Sequence, residues 1–206
     1  MRNQEYTTAI LLAAGGSTRL GRPKQLLPWN GSTLLGSMLK RLALAGCDRI
    51  IVVLGAFESE IRENCIAPAN VQFEIVTNMD WRKGQATSLR VGIEHAVAVK
   101  DPGATLIALC DQPLIGISHY RLLVEGVCRH GYLAVATDYP EGLGVPACFS
   151  LSALLSFSVS VGDIGAKKWL REQPLHLVGR VKCPAASLDI DTEADYRERL
   201  NDGQVV

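Results

Sequence analysis

The stretch from residue 11 to residue 28, LLAAGGSTRLGRPKQLLP, combines residue types that suit the binding of a polyphosphate. An apolar run breaks into a turn at Gly15-Gly16, and three cations follow within ten residues: Arg19, Arg22 and Lys24. Glycines permit a tight turn and let backbone N–H groups come close to an anion, while Arg and Lys neutralise its remaining charge. The stretch therefore predicts a phosphate site.

Two familiar phosphate loops do not match this stretch. The dinucleotide fingerprint GxGxxG fails because the glycines stand at positions 15, 16 and 21. The P-loop spacing GxxxxG is present from Gly16 to Gly21, but Arg22-Pro23 replaces the required Lys-Ser/Thr. Pro23 also disfavours a helix at the residue before it. The loop is either a tight connection without a ligand or a phosphate loop of a third kind.

Acidic residues follow apolar runs at two places. Asp111, in LCDQP, comes directly after a predicted buried strand, which is a good position for holding Mg²⁺ and also for capping a turn. In LDIDT, strand alternation would put Asp189 and Asp191 on one face. Thr192 and Asp195 resemble a helix capping box. Asp191, at the predicted strand end, is the candidate for a second metal ligand.

Two further segments place small residues and cations at the start of a predicted helix. In residues 82–89, RKGQATSL, exposed N–H groups could receive an anion or a base edge, and an ordinary helix start is the alternative. In residues 162–168, GDIGAKK, two lysines on the first turn indicate either an anionic partner or solvated surface.

Short apolar runs alternate with helical patterns along the first two thirds of the chain. Strands are predicted at Thr8–Ala13, Ile50–Leu54, Phe73–Val76 and Leu106–Leu109. Helices are predicted at Thr33–Ala45, Ser59–Cys65, Ala86–Val99 and Ser118–Cys128. This rhythm predicts an α/β fold with a mostly parallel sheet covered by helices. The glycine loop and Asp111 both follow strands, so we expect them at the carboxyl edge of the sheet, where ligands bind.

The pattern changes after Gly131. Two strands joined by a Gly/Pro-rich turn at residues 139–144 predict a small antiparallel addition: Tyr132–Thr137 and Val145–Ser150. The remaining predicted elements are a helix at Gly165–Arg171, a strand at Leu175–Val178 and a helix at Thr192–Leu200.

Length and composition limit the functional classes. The 206 residues fit one domain, with a core over about residues 7–200. Lys+Arg and Asp+Glu are both 21, so no basic field favours nucleic acid. The six cysteines form no CxxC pair and are expected to be buried thiols of a cytoplasmic protein. No apolar stretch approaches the roughly 18 residues that a membrane span needs.

Five segments, in order, resemble the molybdopterin nucleotidyltransferase family and more closely its molybdenum cofactor cytidylyltransferase branch. They are LAAGGSTRLGRPKQLLP (12–28), GQATSLRVGI (84–93), LCDQPLI (109–115), GDIGAKKWL (162–170) and DIDTEADY (189–196). The resemblance implies a single Rossmann-like three-layer domain of the nucleotide-diphospho-sugar transferase type. It also implies an enzyme that transfers a nucleotidyl group from a nucleoside triphosphate with Mg²⁺.

The resemblance also implies roles for particular residues. The expected nucleotide-binding set is Leu12, Ala13, Ala14, Gly15, Gly16, Ser17, Lys24, Gly84, Ser88 and Asp111. Arg19 and Lys24 would face the phosphates and, with Asp111, form the catalytic set. Asp111 would bind Mg²⁺, and Asp191, which opens a DT-x-x-D pattern, is preferred to Asp189 as the second ligand.

The form Ala13-Ala14-Gly15 resembles the cytidylyl branch more than the guanylyl branch, which favours CTP. The implied acceptor is molybdopterin bearing molybdenum, and a molybdenum hydroxylase is a candidate partner. Lys167 stands where the family usually has Arg, and Gly144 where His often precedes Val-Pro, so the acceptor side departs from the family pattern. The alternatives are a guanylyltransferase, a non-catalytic accessory protein for a molybdenum hydroxylase, and an NAD-dependent oxidoreductase that the failed GxGxxG disfavours.

Overall fold

A computed structural model describes residues 6–98, 102–160 and 166–203 of the chain. The strands are β1 (Thr7–Leu12), β2 (Pro28–Trp29), β3 (Ser32–Thr33), β4 (Arg49–Leu54), β5 (Glu74–Thr77), β6 (Ala104–Leu109), β7 (Ala134–Tyr139), β8 (Gly142–Phe149) and β9 (Val178–Lys182). Seven of them form one sheet in the order β5-β4-β1-β6-β8-β7-β9, and β2 pairs only with β3.

Strand direction in the sheet is uniform except at β8. The pairs β5/β4, β4/β1, β1/β6 and β7/β9 are parallel, whereas β8 is antiparallel to both β6 and β7. The mostly parallel sheet with a small antiparallel addition is therefore confirmed. Because β8 is reversed, it begins at the edge of the sheet where its neighbours end.

Helices cover both faces of the sheet, which confirms the three-layer arrangement. The helices are α1 (Leu34–Leu44), α2 (Glu58–Asn64), α3 (Gln85–Val97), α4 (Ile117–His130), α5 (Leu151–Ser160), α6 (Ala166–Glu172) and α7 (Glu193–Gly203). β1 alternates between the two cores: Ala9 and Leu11 face the core under α1 and α4, while Ile10 and Leu12 face the core under α3 and α6.

Two predicted strands are wrong. Leu175–Leu177 is a 3-10 helix, and the strand of that region, β9, begins only at Val178. The predicted strand through Asp189 and Asp191 is irregular backbone that follows a second 3-10 helix, Pro184–Ser187. In this segment the N–H of Ile190 donates to the carbonyl of Asp111 at 2.9 Å. Asp111 lies beyond the end of β6, so this bond does not extend the sheet.

The hairpin formed by β2 and β3 was missed. Its two central residues, Asn30 and Gly31, have φ of 48° and 74°, the left-handed backbone that Asn-Gly favours in tight hairpins. The hairpin buries Trp29 and leads into α1, where the side chain of Thr33 accepts a hydrogen bond from the N–H of Gly36.

His119, on α4, braces the far half of the sheet, although the sequence suggested no role for it. Its side chain is 6% exposed, and its Nε2 lies 2.8 Å from the hydroxyl of Thr137, which donates to the carbonyl of Pro146. Because the hydroxyl hydrogen is used in this way, the imidazole donates to Thr137. Burial lowers the pKa of His119 to about 4.

We expect this histidine to make the fold acid-sensitive. Between about pH 6.5 and pH 4 the unfolded chain binds a proton that folded His119 does not, so stability falls as the pH falls through this window, by about 3 kcal/mol in total. Urea unfolding at pH 7.5 and pH 4.5 measures the loss. His119→Gln, which keeps a donor for Thr137, should lose less, and exposed His130→Gln should behave like the parent. An equal loss in His119→Gln would refute this assignment.

Three of the six cysteines, Cys47, Cys110 and Cys148, are buried as expected, whereas Cys65, Cys128 and Cys183 are only partly buried. Burial raises the pKa of Cys47 to about 12. Over the described residues, every helix is too short or too polar to cross a bilayer.

Candidate functional site

The glycine loop leaves β1 at the carboxyl edge of the sheet and is held from behind. Gln25, 1% exposed, donates through Nε2 to the carbonyls of Ala13 at 2.5 Å and Gly15 at 3.3 Å. Ser17 adopts a left-handed conformation, and its Oγ accepts the N–H of Lys24 at 3.1 Å. These bonds fold residues 13–25 back on themselves and orient the carbonyls toward Gln25.

The backbone N–H groups of this loop have no acceptor among the described residues. Within the described part of the chain, the N–H groups of residues 14–17 donate to no protein acceptor, whereas the carbonyl of Ala14 accepts from Ala56 at 3.1 Å. Successive backbone N–H groups that are free of protein acceptors can bind an anion. The loop can therefore receive phosphate oxygens.

Trp81 supports the loop from the side. The ring lies so close to Gly16 that a Cβ there would come within 2.9 Å of it, and a Cβ on Gly55 would lie 2.6 Å from the Cβ of Trp81 and 3.0 Å from that of Ala14. Trp81 is thus a packing residue, and the two glycines are required by its approach.

Gly55→Ala should destabilise the protein by about 2 kcal/mol, because the added methyl group meets Trp81 and Ala14 at fixed backbone positions. Thermal or urea unfolding measures the change. Gly15→Ala is the matched control, since a Cβ at Gly15 meets nothing within 4 Å and its φ is not positive. Equal stability of Gly55→Ala and Gly15→Ala would contradict the packing argument.

Lys24 joins the two acidic residues that the sequence singled out. Its Nζ lies 3.0 Å from Oδ2 of Asp111 and 2.8 Å from Oδ1 of Asp191, and the residue is 8% exposed. Arg19 reaches the other oxygen of Asp191 at 2.5 Å. The structure thus brings together, from three separate parts of the chain, all four charged side chains predicted for the site.

Backbone contacts fix both carboxylates. Asp111 lies two residues beyond the end of β6, and the N–H of Ile190 donates to its carbonyl, which holds the segment leading to Asp191 against this end of the strand. The capping box is confirmed: the N–H of Thr192 donates to the Asp195 carboxylate at 2.8 Å, and the N–H of Asp195 donates to Thr192 Oγ1 at 3.1 Å. Asp191 is therefore positioned by the start of α7 rather than by a strand.

The charged groups of this cluster keep one another ionised. Burial alone would lower the pKa of Lys24, but the charges of Asp111 and Asp191 and their hydrogen bonds outweigh it and hold that pKa above its usual value. Burial alone would raise the pKa of Asp191, but Lys24 and Arg19 hold it below its usual value. Lys24 and Asp191 are consequently ionised at neutral pH.

Asp111 carries the carboxylate oxygen of this cluster that is best placed to bind a further cation. Its Oδ1 is buried and has no hydrogen-bond partner among the described residues, while its Oδ2 accepts from Lys24. In the part of the chain that the structure describes, no three His, Cys, Asp or Glu side chains are grouped closely enough to hold a metal. Two carboxylates still fit Mg²⁺, which takes few protein ligands and completes its shell with phosphate oxygens and water.

Gln112 links the site to a neighbouring polar network that the sequence did not reveal. The residue is 3% exposed, and the two N–H groups of its Nε2 have three acceptors within reach: the carbonyl of Ala186 at 2.8 Å, Asp189 Oδ1 at 3.1 Å and the hydroxyl of Tyr139 at 3.3 Å. Burial and the charge of Asp111 raise the pKa of Asp189. Asp189 therefore faces Gln112, whereas Asp191 faces Lys24.

Two adjoining cavities open at this edge of the sheet and share Leu12, Gln85 and Leu109. The smaller, about 160 Å³, is bounded by the glycine loop, and its other lining residues include Lys24, Trp81, Ser88 and Asp111. The larger, about 390 Å³, lies over the start of β8, and its other lining residues include Gln112, Tyr139, Glu141, Val145, Lys167 and Asp189.

Most residues predicted to bind nucleotide line the smaller cavity: Leu12, Ala13, Ala14, Gly15, Lys24, Ser88 and Asp111. Gly16, Ser17 and Arg19 support or flank it, and Gly84, with φ of 112°, starts α3 without lining it. The turn at 162–165 lies outside the described residues. Gln85 and Gln25 were missed, since a glutamine carries no spacing signal that separates such a role from ordinary surface.

The family model of the MobA-like NTP transferase domain matches residues 9–177. The chain belongs to this family. As a MobA-like NTP transferase it is a nucleotidyltransferase, and the family predicted from the five sequence segments is confirmed.

Curated relatives of this MobA-like protein carry different names. Nicotine blue oxidoreductase of Paenarthrobacter nicotinovorans is 36% identical over 204 residues, which cover 92% of this chain and 95% of that protein. Molybdenum cofactor cytidylyltransferase of Escherichia coli K12 is 37% identical over 84 residues, or 41% of this chain and 42% of that protein.

Solved structures show the same fold. Rv0371c of Mycobacterium tuberculosis H37Rv is 31% identical, with a TM-score of 0.76 over 95% of this chain and 98% of that one. Its manganese complex aligns with a TM-score of 0.72 at 28% identity, with the same coverage of each chain.

Proposed function

We propose that this nucleotidyltransferase transfers CMP from CTP to a molybdopterin-type acceptor that carries molybdenum, with Mg²⁺ as its metal. The observation that supports this best is the ammonium group of Lys24, held within 3.0 Å of Asp111 and 2.8 Å of Asp191 beside a loop of free amides. Free amides with Lys24 and Asp111 on one cavity, and Arg19 and Asp191 in contact with Lys24 or its partner, suit a metal–triphosphate substrate.

In this proposal a phosphate oxygen of the acceptor attacks the α-phosphorus of CTP. The bond from that phosphorus to the bridging oxygen breaks, and pyrophosphate leaves with the electron pair. The protein's contribution is positioning and charge neutralisation. The amides of residues 14–17, together with Arg19 and Lys24, would hold the phosphates, while Leu12, Ala13 and Ser88 would contact the nucleoside.

Asp111 and Asp191 are the residues that would hold the metal. The buried, unpartnered Oδ1 of Asp111 fits that role, and the manganese complex of Rv0371c supports a divalent ion. When bound, such an ion neutralises charge that develops on the leaving pyrophosphate.

The larger cavity is our candidate for the acceptor-binding site. It adjoins the smaller one across Leu12 and Leu109, so an acceptor there would lie beside the nucleotide. Lys167 is the cation on its wall, at 3.8 Å from Glu141, and would face the acceptor's phosphate. A molybdenum hydroxylase is the proposed recipient of the product.

Product analysis tests this function directly. The protein is incubated with Mg²⁺, purified molybdenum cofactor and CTP, GTP or ATP in turn, and products are identified by mass spectrometry. We expect a CMP adduct and one pyrophosphate per adduct, with CTP favoured. A GMP adduct instead would make the protein a guanylyltransferase, and no adduct with any triphosphate would reject the proposal.

A redox function is the second candidate, favoured by the name of the Paenarthrobacter relative. Thermal shift with CTP, GTP, ATP and NAD, each with and without Mg²⁺, separates the two functions because a ligand of the folded state raises Tm. Stabilisation by NAD alone would favour the redox function. Stabilisation by CTP without turnover would favour a cofactor-binding accessory protein for a molybdenum hydroxylase.

A further inference from the structure

The carboxylates proposed to hold the metal are already neutralised by the protein's own cations. Lys24 contacts one oxygen of each carboxylate, and Arg19 contacts the remaining oxygen of Asp191. Only Oδ1 of Asp111 lacks a partner among the described residues. Two carboxylates and two cations form a cluster with no net charge, in which Lys24 is only 8% exposed.

A divalent ion entering alone meets an unfavourable arrangement. It must either separate Lys24 from both carboxylates or share them with an ammonium group a few ångströms away. Repulsion between like charges at that separation is substantial where solvent is partly excluded. The displaced ammonium group would also lose its ion pairs at 3.0 Å and 2.8 Å.

A bound triphosphate would make the entry of the metal ion more favourable. The free amides of Ala14 and Gly15 lie on the same cavity as Lys24, and those of residues 16 and 17 flank it, so phosphates bound there would present oxygens to Lys24 and to Arg19. Both cations then gain partners as they release the carboxylates. The vacated oxygens of Asp111 and Asp191, with the phosphates, form a ligand set for the metal.

We propose that Lys24 is a resident cation that keeps divalent metals from the Asp111–Asp191 pair until a triphosphate draws its ammonium group away. The role of the triphosphate rests on the proposed function, whereas the exclusion of metal by Lys24 depends only on the cluster itself. Lys24 would thereby set the order of binding, with the metal entering together with the nucleotide or after it.

Binding of Mn²⁺ alone, measured by electron paramagnetic resonance without nucleotide or acceptor, tests this inference. The parent protein should bind Mn²⁺ only weakly, in the millimolar range. Lys24→Met should bind it at least about tenfold more tightly, because the carboxylates lose their internal partner. Lys24→Met combined with Asp111→Asn should lose that gain. Lys40→Met, on the exposed side of α1, should match the parent.

Thermal shift gives a second readout. Removing Lys24 leaves Asp111 without its cation and Asp191 with Arg19 alone, so Mn²⁺ should raise the Tm of Lys24→Met more than that of the parent. Lys24→Gln serves if the methionine variant does not fold. Equal Mn²⁺ affinity of parent and variant would overturn the inference. So would micromolar binding by the parent that Asp111→Asn abolishes. If Lys24→Met gained metal affinity but the parent protein transferred no CMP, the proposed function alone would be rejected.

Discussion

Asp111→Asn is expected to slow pyrophosphate release from CTP by about three orders of magnitude at saturating Mg²⁺. The substitution preserves shape but removes the negative charge, including the buried Oδ1 that is available to a cation. An amide is a poor ligand for Mg²⁺, and the counter-charge of Lys24 is lost as well. A coupled pyrophosphate assay with CTP and molybdenum cofactor measures the rate.

Asp138→Asn is a suitable control for the loss of one carboxylate charge. Asp138 lies on β7 and forms a loose ion pair with Arg180 at 3.9 Å, and its substitution should leave the rate of pyrophosphate release unchanged. Folding of both variants is checked by thermal unfolding. Full activity of a folded Asp111→Asn would show that this carboxylate holds no catalytic metal.

Lys24→Met should also cost about two to three orders of magnitude in kcat/KM for CTP, because the charge that faces the phosphates is lost. Lys24→Arg should not restore the rate: the larger guanidinium does not fit a position that is 8% exposed and bounded by two carboxylates. Steady-state kinetics over a range of CTP concentrations separates the effect on KM from that on kcat.

Lys40→Met again provides the control, since it removes one lysine from exposed surface. If Lys24→Met raised KM for the acceptor but left KM for CTP and kcat unchanged, Lys24 would face the acceptor rather than the triphosphate. That result would contradict the assignment of the glycine loop to the nucleotide.

The sequence predicted those parts of the site that lie at the end of a strand or at the start of a helix, because such residues have a definite place in the fold. The glycine loop and Asp111 each follow a buried parallel strand, and adjacent parallel strands end at the same edge. The sequence therefore predicted the edge that they share, and the pairing of β1 with β6 brings them together there. The capping box at Thr192 and Asp195 was equally local, because its two hydrogen bonds span three residues.

Other features depend on contacts between distant parts of the chain. The segment through Asp189 and Asp191 alternates like a strand, yet Ile190 bonds to Asp111, 79 residues away in the sequence, and Gln112 holds Asp189 apart from Asp191. No local pattern encodes such a contact. The Asn30-Gly31 hairpin is different, because its turn signal was present in the sequence and was overlooked.

Because β8 is reversed, the larger and the smaller cavity are formed largely by different parts of the chain and can change separately. The first residues of β8 line the larger cavity just after the short connection from Tyr139 to Gly142, whereas the glycine loop belongs to the other end of the chain. Surface connections accept changes in length and composition that buried strands do not. A lineage could therefore exchange this connection and acquire a different second substrate while its triphosphate chemistry stayed intact.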